Sequence, residues 1–284
     1  MRILLTGRAG QVGSALQRGL GPLGEVTAFD RQGLDLLDSG SIRSAVAESR
    51  PDIIVNAAAY TAVDRAEQEE DTAFQVNARA VEDLAREARN IGALLIHFST
   101  DYVFDGEKRL PYVETDQPSP LNVYGASKLA GERAIAASGC RNFVFRTSWV
   151  YGPSGRNFLH AILAAARARP ELRVVDDQHG APTSSEAIAG AVARVIADPV
   201  LRAKEGGLYH LSAAGQTSWH GFASEILRAQ GLKTPIVAIP SSEFRAAAAR
   251  PKYSLLDNSK IRRELGIELP DWRQGLSEVL AAIR

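Results

Sequence analysis

The stretch RILLTGRAGQVG, at residues 2–13, decides the fold of this chain. Its apolar first half predicts a short strand over Arg2–Thr6, and the periodic apolar pattern that follows the stretch predicts a helix. The turn between them has the spacing Gly7-x-x-Gly10-x-x-Gly13. Glycines after a first strand predict a dinucleotide-binding turn, although this spacing differs by one residue from Gly-x-Gly-x-x-Gly, and a tight turn without a ligand is the alternative.

Each glycine of this turn has a separate use in the dinucleotide interpretation. Gly7 permits the tight turn, Gly10 lets a pyrophosphate approach the backbone, and Gly13 lets the helix pack closely on the strand. The helix N-terminus then offers free N–H groups and a positive dipole end to the phosphates.

The adenosine end of the coenzyme is predicted at the end of the second strand, Val26 to Phe29. Asp30 is placed to accept hydrogen bonds from the ribose hydroxyls, which favours NAD. Arg31 beside it, and Arg8 in the glycine turn, could instead hold the 2′-phosphate of NADP. Because the two signals oppose each other, we predict that both NADH and NADPH can serve.

Strands alternate with helices as far as residue 150. Further strands are predicted at 52–55, 94–98 and 143–145, and helices at 41–48, within 64–92 and around Tyr124. Near-continuous apolar strands of this kind indicate a parallel sheet that is covered on both faces. The sequence therefore predicts an α/β fold with a doubly wound parallel sheet, a Rossmann-type dinucleotide-binding domain, over residues 1–150.

The alternation is less regular beyond residue 150. Helices are predicted near 157–168, 184–197 and 218–230, with short strands at 172–175 and 208–211. We predict that residues 151–284 form mainly a smaller C-terminal substrate-binding lobe, which could return a strand to the main sheet.

Composition excludes several classes of function. The 33 acidic and 33 basic residues balance, so we expect no global affinity for nucleic acid or for an anionic membrane. No apolar run is long enough to span a bilayer, and no signal-peptide pattern opens the sequence. Cys140 is the only cysteine, which excludes an intrachain disulfide and a cysteine-cluster metal site. A cytoplasmic protein is the expectation.

Tyr124 and Lys128 are four residues apart and fall on the same face of a predicted helix. The positive charge of Lys128 would favour the phenolate, so this spacing predicts a lowered pKa for Tyr124 and an acid–base role. A tyrosine packed on the core beside a solvated lysine is the alternative, because the pattern alone is short.

Several motifs together indicate a family. They are the glycine turn, Asn56–Ala59, the run from Ser99 to Phe104, and Tyr124-x-x-x-Lys128, with the runs 146–151 and 180–183 extending the match over nearly the whole chain. With these motifs the chain resembles the extended short-chain dehydrogenase/reductases. Within that superfamily it is similar to the branch that reduces keto-sugars attached to nucleoside diphosphates.

The resemblance implies a reaction and the residues that carry it. The expected activity is NADPH- or NADH-dependent reduction of the C4 ketone of dTDP-4-dehydro-L-rhamnose to dTDP-L-rhamnose. Tyr124 would donate the proton, Lys128 would hold the nicotinamide ribose and tune Tyr124, and Thr100 would polarise the carbonyl. Thr100, Asp101 and Trp149 would contact the dTDP-sugar. Residues matching coenzyme positions are Gly10, Gln11, Val12, Asp30, Asp35, Leu36, Ala59, Tyr60, Thr61, Phe98, Tyr124 and Lys128.

The resemblance also bears on metal binding. Some family members bind magnesium between subunits through a carboxylate two residues after the third glycine. Ala15 stands there, Ser14 precedes it, and neither can replace a carboxylate as a ligand of a hard cation. Glu186, at another family metal position, would be alone. No metal is therefore predicted, magnesium is not expected to be required, and a homodimer is a further expectation.

Two other functions stay open from the sequence. A dehydratase or epimerase could use the same fold, but dehydratases of this superfamily carry Asp-Glu after the threonine, whereas Tyr102 follows Thr100–Asp101 here. A non-catalytic regulatory subunit is the other alternative. Such proteins commonly lose the tyrosine or the lysine, and this chain has both.

The remaining candidates receive structural predictions. His97 is expected to be satisfied inside the core, and Arg250 to be a surface residue rather than a diphosphate ligand. His179 is predicted either to approach the sugar nucleotide or to remain in a polar loop. His210 and His220 show no metal-ligand spacing.

Overall fold

The computed structural model describes residues 1–204, 206–244 and 246–283. The strands of this part are β1 (Arg2–Thr6), β2 (Glu25–Phe29), β3 (Ile53–Asn56), β4 (Leu94–Thr100), β5 (Asn142–Thr147), β6 (Val150–Tyr151), β7 (Leu172–Val175), β8 (His179–Gly180), β9 (Thr183–Ser184), β10 (Gly206–His210), β11 (Thr217–Ser218) and β12 (Ile236–Ile239). The helices are α1 (Gln11–Leu20), α2 (Ser39–Ser49), α3 (Val63–Ala66), α4 (Glu70–Phe74), α5 (Ala80–Ile91), α6 (Val123–Ser138), α7 (Phe158–Ala168), α8 (Ser185–Ala197), α9 (Pro199–Arg202), α10 (Trp219–Ala229), α11 (Ser259–Leu265) and α12 (Trp272–Ala282).

A six-stranded sheet in the order β2-β1-β3-β4-β5-β10 organises the molecule. Every neighbouring pair in it is parallel. The chain moves outward from β1 to β2 and then crosses back to β3, so the direction of winding reverses between β1 and β3. This confirms the predicted doubly wound α/β fold, and it places the switch point, where ligands bind in such sheets, beside the glycine turn.

The two faces of the sheet bury alternate residues of the strands. Ile3, Leu5 and Val55 face a core shared with α1, α8 and α11. Leu4, Ile54 and Leu95 face the other core, shared with α2, α5 and α6. Burial on both faces explains why the strands read as continuous apolar runs rather than as an alternating pattern.

The second half of the chain contributes to both the main sheet and a separate core. The strand predicted at 208–211 is β10, which pairs in parallel with β5 at the edge of the sheet. A third core cluster joins α7, β7, α10 and α12 around Phe222 and Trp272. The division into residues 1–150 and 151–284 stays a prediction.

The predicted helical region 64–92 is the largest departure from expectation. It divides into α3, α4, a π-helical turn over Gln75–Arg79, and α5. A π-turn widens the helix locally and often marks a functional position. Asn77 lies inside this turn and is buried. Among the described residues, no helix combines the length and the apolarity that a bilayer crossing requires.

Candidate functional site

A cleft of about 1040 Å³ opens at the carboxyl ends of the central strands. The structure brings most of the predicted site residues together there, whereas Arg8 and Gly13 of the glycine turn and His179 are missing from its lining. Their roles remain predictions, but their proximity is a fact of the fold. The predicted residues lining the cleft are Gly7, Gly10, Gln11, Val12, Asp30, Arg31, Asp35, Leu36, Ala59, Tyr60, Thr61, Phe98, Thr100, Asp101, Tyr124, Lys128 and Trp149.

The glycine turn forms one wall of the cleft. A Cβ atom on Gly13 would lie 2.0 Å from the carbonyl oxygen of Gly7, so only glycine lets α1 start this close to β1. Gly10 precedes the helix without a side-chain cap, and the first turn contains no acidic residue. Free N–H groups and an uncompensated dipole end fit the pyrophosphate of a dinucleotide.

The adenosine end of the cleft contains a paired charge. Arg8 donates to Oδ2 of Asp30 from Nε at 3.0 Å and from Nη2 at 2.5 Å. The backbone N–H groups of Gln32 and Gly33 donate to Oδ1 at 3.1 Å and 3.2 Å. The bond from Arg8 is the main reason that the pKa of Asp30 lies below its ordinary value. Asp30, which favours NAD, and Arg8, one of the two arginines that could favour NADP, are therefore partners in one ion pair.

Helix α6 carries Tyr124 and Lys128 to the floor of the cleft. Asn122 caps the helix by accepting from the N–H of Gly125 at 2.8 Å, and its amide donates to the carbonyl of Ala249 at 2.8 Å. A Cβ atom on Gly125 would lie 2.2 Å from the carbonyl oxygen of Tyr102. The glycine after Tyr124 thus lets the helix press against the turn that follows β4.

The predicted lowering of the Tyr124 pKa is wrong for this arrangement. Burial of the hydroxyl raises the pKa of Tyr124 to about 12, the neighbouring Thr100 hydroxyl opposes the rise, and the charge of Asp101 adds to it. Lys128 does not offset the burial because its Nζ is directed at β4. It donates to the carbonyl of Phe98 at 2.5 Å and lies 3.2 Å from Nε2 of His97.

Lys128 is itself buried, with 2% of its surface exposed. Burial lowers the pKa of Lys128 to about 8, with the charge of Glu132 opposing this change. A lysine with this pKa changes its charge close to neutral pH, and perturbed pKa values of this kind cluster at functional sites.

Thr100 and Asp101 stand at the end of β4. The Thr100 hydroxyl accepts from the N–H of Tyr102 at 3.1 Å and donates to Oδ1 of Asp101 at 3.1 Å. Burial raises the pKa of Asp101 to about 7, although the hydroxyls of Ser254 and Thr100 oppose the rise. This carboxyl group can therefore either donate or accept a hydrogen bond near neutral pH.

Trp149 also lines the cleft. Its backbone has a φ of 47°, which is unusual for a residue with a side chain. The indole stacks on that of Trp219 with centroids 3.6 Å apart and planes 4° apart, and Phe158 packs against Trp219. This stack holds a flat apolar surface at the predicted substrate end of the cleft.

Several residues at or next to the cleft were not predicted from the sequence. Trp219 lies beyond residue 150 and carried no motif. The amide of Asn157 donates to Oε1 of Gln11 at 3.0 Å, which links the glycine turn to the second half of the chain. Asn77 accepts from the N–H of Tyr60 at 2.8 Å and donates to the Ser127 hydroxyl at 3.0 Å, so it ties the cleft loop to α6. Of these three residues, only Asn157 had a signal in the sequence. An asparagine directly before an apolar helix predicts an N-cap, which Asn157 is, but it does not predict the contact with Gln11.

The remaining histidine and cysteine predictions have mixed outcomes. His97 is fully buried with a partner at each ring nitrogen, which confirms that it is satisfied in the core. Cys140 is buried. His179 is exposed on β8 and is not part of the cleft lining. His210 is buried, where Nδ1 lies 3.0 Å from the carbonyl oxygen of Tyr112.

The prediction that Arg250 is a surface residue is wrong. Its side chain is 17% exposed, and Nη2 donates to Oδ2 of Asp64 at 2.7 Å. The loop before Pro251 packs against α3, where the N–H of Ala248 also donates to Asp64, and this packing leaves the guanidinium group half-buried. Glu186, the single carboxylate at a family metal position, pairs with Arg18 at 2.5 Å. Among the residues that the structure describes, no three His, Cys, Asp or Glu side chains cluster as a metal site would require.

Comparison with known proteins extends these observations over the whole chain. A family model described as the RmlD substrate binding domain matches residues 1–284. The dTDP-4-dehydrorhamnose reductase of Burkholderia thailandensis is 46% identical, and the alignment covers 96% of this chain and 96% of that protein. The enzyme of the same name from Escherichia coli K12 is 44% identical over 99% of this chain and 97% of its own length. The crystal structure of dTDP-4-dehydrorhamnose reductase from Bacillus anthracis in complex with NADP has a TM-score of 0.94, with 36% identity and 99% coverage of both chains.

Proposed function

This chain belongs to the dTDP-4-dehydrorhamnose reductase family, and from that premise we propose how its cleft carries out the reaction. The protein is an NAD(P)H-dependent oxidoreductase that reduces the C4 ketone of dTDP-4-dehydro-L-rhamnose to dTDP-L-rhamnose. This is the last step of dTDP-L-rhamnose synthesis, which serves polysaccharide formation. The observation that carries the assignment is similarity over the full length of the chain, on both sides of the cleft.

The residues of the cleft fit a dinucleotide. The uncapped start of α1 would hold the pyrophosphate, the Arg8–Asp30 pair would meet the adenosine ribose, and Lys128 would lie at the nicotinamide end. When bound, the coenzyme supplies the hydride that the carbonyl carbon accepts.

Tyr124 is proposed as the acid of the reaction. A pKa of about 12 keeps its hydroxyl protonated at neutral pH, so the proton is available when charge develops on the substrate oxygen. Thr100 would donate a second hydrogen bond to that oxygen by rotating its hydroxyl away from Asp101. In its charged form Lys128 would hold the nicotinamide ribose. Asp101 and the Trp149 indole would hold the sugar nucleotide.

The competing dehydratase function lacks a required group. Abstraction of the C5 proton needs a second base beside the threonine and aspartate. Tyr102 occupies that position, and burial holds the pKa of its hydroxyl above the ordinary value, so it stays protonated. Ketone reduction needs no such base, and the residues of this cleft therefore support reduction.

An activity panel tests the proposed substrate. Purified protein is given NADPH with 4-keto-sugars attached to dTDP, UDP or GDP, and coenzyme oxidation is followed by absorbance. We expect turnover with the dTDP-sugar and much less with the others. Absence of turnover with every keto-sugar would reject the reductase assignment and favour a regulatory subunit. Location in the cytoplasm and assembly as a homodimer stay predictions.

Coenzyme selectivity provides a prediction about Arg8. We expect both coenzymes to support turnover, because Arg8 compensates the charge of Asp30 where a 2′-phosphate would approach. Arg8→Ala should raise the KM for NADPH about tenfold, the usual scale of a lost charge-assisted hydrogen bond, and change the KM for NADH less. Steady-state kinetics with each coenzyme measures this.

Arg43→Ala is the matched control for this experiment, since Arg43 is exposed on α2 and Asp30 pairs with Arg8 instead. An absolute requirement of the wild-type protein for one coenzyme would contradict the prediction of dual use. Equal effects of Arg8→Ala on both coenzymes would contradict the assigned position of the 2′-phosphate.

Independence from magnesium is a further prediction. Ala15 supplies no ligand and Glu186 is engaged by Arg18, so we expect full activity in the presence of a chelator. Activity is compared in EDTA, in EDTA with excess magnesium, and in buffer alone. A loss of activity that magnesium restores would overturn the prediction.

A further inference from the structure

Four buried side chains form a hydrogen-bonded chain that ends at Lys128. The Thr6 hydroxyl lies 2.6 Å from Oδ1 of Asn56, Nδ2 of Asn56 lies 3.0 Å from Nδ1 of His97, and Nε2 of His97 lies 3.2 Å from Nζ of Lys128. Each of these residues is at most 2% exposed. The chain runs beneath the cleft from β1 across β3 and β4 to α6, and the mechanism above makes no use of its middle members.

Counting hydrogens along the chain gives two self-consistent arrangements. Burial and the charge of Lys128 keep the pKa of His97 well below its ordinary value, so the imidazole is neutral and carries one N–H. If Asn56 directs its NH₂ group at His97, then Nδ1 is the acceptor and Nε2 carries the hydrogen. That N–H points at Lys128, which can accept it only as a neutral amine.

The second arrangement reverses every bond. If Asn56 turns its amide by 180°, its oxygen accepts from Nδ1–H of His97, and the lone pair of Nε2 faces Lys128. An ammonium group can then donate to both His97 and the carbonyl of Phe98. The heavy atoms occupy the same places in both cases, because an amide flip and a change of tautomer move only hydrogens and exchange the amide N and O.

Thr6 favours one arrangement and Lys128 the other. The Thr6 hydroxyl accepts from the N–H of Ala58 at 3.2 Å, so its own hydrogen is free to donate to Asn56. This donation matches the arrangement with neutral Lys128. In the reversed arrangement Thr6 accepts twice and its hydrogen loses this partner, while the charged Lys128 gains an acceptor.

We propose that His97 and Asn56 are positioning residues that set the protonation state of Lys128 through this chain. When Lys128 is charged, Nδ1 of His97 carries the hydrogen. When Lys128 releases its proton to solvent, Nε2 carries it. The imidazole holds one N–H in both states, so one proton leaves in total. The effect on catalysis rests on the proposed function, in which the charged form of Lys128 is the active one.

The other charged groups around Lys128 do not replace this control. Tyr124 and Glu132 lie on its own helix, and Glu132 is held by Arg146 of β5 in a buried pair. Asp101, from the turn after β4, lines the same cleft, as do Tyr60 from the loop after β3 and Glu69, the residue before α4. His97 is the titratable side chain in direct contact with Nζ among the described residues.

Substitutions at the chain test the proposal through the alkaline limb of the kcat–pH profile. In the wild-type protein we expect its midpoint close to the Lys128 pKa of about 8. His97→Leu removes the acceptor and should lower the midpoint by about one pH unit, a tenfold loss of proton affinity. His97→Gln keeps an acceptor and should restore most of this shift. Asn56→Asp places a carboxylate oxygen, which can only accept, against Nδ1 of His97. Nε2 then stays the acceptor for a charged Lys128, so the midpoint should rise.

His210→Leu is the matched control, since His210 is an equally buried histidine without contact to Lys128. A folded His97→Leu protein with an unmoved midpoint would overturn the proposal, and so would an equal shift in His210→Leu. If His97→Leu does not fold, Asn56→Asp still decides, because a lowered or unchanged midpoint contradicts the predicted direction.

A spectroscopic test needs no turnover. Long-range ¹H–¹⁵N correlation spectra of the labelled full chain, with and without NADPH, report which ring nitrogen of His97 carries hydrogen. The signals of His97 are identified among those of the five histidines as the ones that His97→Gln removes. We expect Nδ1–H below pH 8 and Nε2–H above it, following the charge of Lys128. One tautomer at every pH would overturn this inference alone, whereas a tautomer change without keto-sugar reduction would overturn only the proposed function.

Discussion

Tyr124→Phe is expected to lower kcat with the dTDP-keto-sugar by about 10²–10⁴-fold, the usual contribution of a positioned general acid. The substitution removes only the hydroxyl, whose pKa of about 12 reflects its burial at the floor of the cleft. Helix α6 is capped by Asn122 and held close to Tyr102, so its position does not depend on that hydroxyl. The KM for NADPH should therefore change little. Rapid-mixing kinetics at saturating coenzyme measures the loss.

Tyr102→Phe is the matched control for this variant. It deletes the same atom from a tyrosine whose ring lies edge-on to that of Tyr124, with centroids 6.0 Å apart. We expect its kcat to stay within tenfold of the wild-type value, since no step requires its proton. Near-normal turnover in Tyr124→Phe, or an equal loss in both variants, would remove Tyr124 from the proposed role.

The fold could be predicted because its signals are local. Continuous apolar strands, a glycine turn after β1 and regular alternation are properties of short stretches, and each element of the sheet lies within a few residues of its predicted position. The break of the helical region 64–92 carried no such signal. Its π-turn is associated with the contacts of Asn77 with Tyr60 and Ser127, which join residues 17 and 50 positions apart. Tertiary hydrogen bonds of this range leave no periodic trace in a sequence.

The site was predictable in membership but not in electrostatics. Strand ends and motifs identified the residues of the cleft, because the carboxyl ends of parallel strands share one edge. The direction of the Tyr124 pKa shift was wrong because spacing along a helix does not reveal burial or where Nζ of Lys128 points. Arg250 was misjudged for a similar reason, since its partner Asp64 is 186 residues away in sequence. Trp219 joined the cleft through the stack with Trp149, which no linear pattern contains.

The second large effect is expected at a buried pair of charged side chains, Glu132 and Arg146. Glu132 follows Lys128 by one turn of α6, and Arg146 lies on β5, with side chains 8% and 2% exposed. Two parallel bonds join them, from Nε at 2.8 Å and from Nη2 at 2.6 Å, and Ser99 of β4 also donates to Glu132. The guanidinium group packs over the Phe104 ring, with Cζ 5.0 Å from the centroid. This pair fastens the catalytic helix to the sheet.

Arg146→Met should lower the free energy of unfolding by about 3–5 kcal/mol, because it leaves the Glu132 carboxylate buried without a counter-charge. Urea unfolding at constant m-value measures the loss. The double variant Arg146→Met/Glu132→Leu should recover most of the lost stability. With both charges removed, no unpaired charge has to be buried when the protein folds. Arg18→Ala breaks the half-exposed pair with Glu186 and should cost less than about 1 kcal/mol. If Arg146→Met and Arg18→Ala lower the free energy of unfolding equally, the buried pair does not hold α6 against β5. The position of Lys128 must then depend on its contacts with His97 and Phe98.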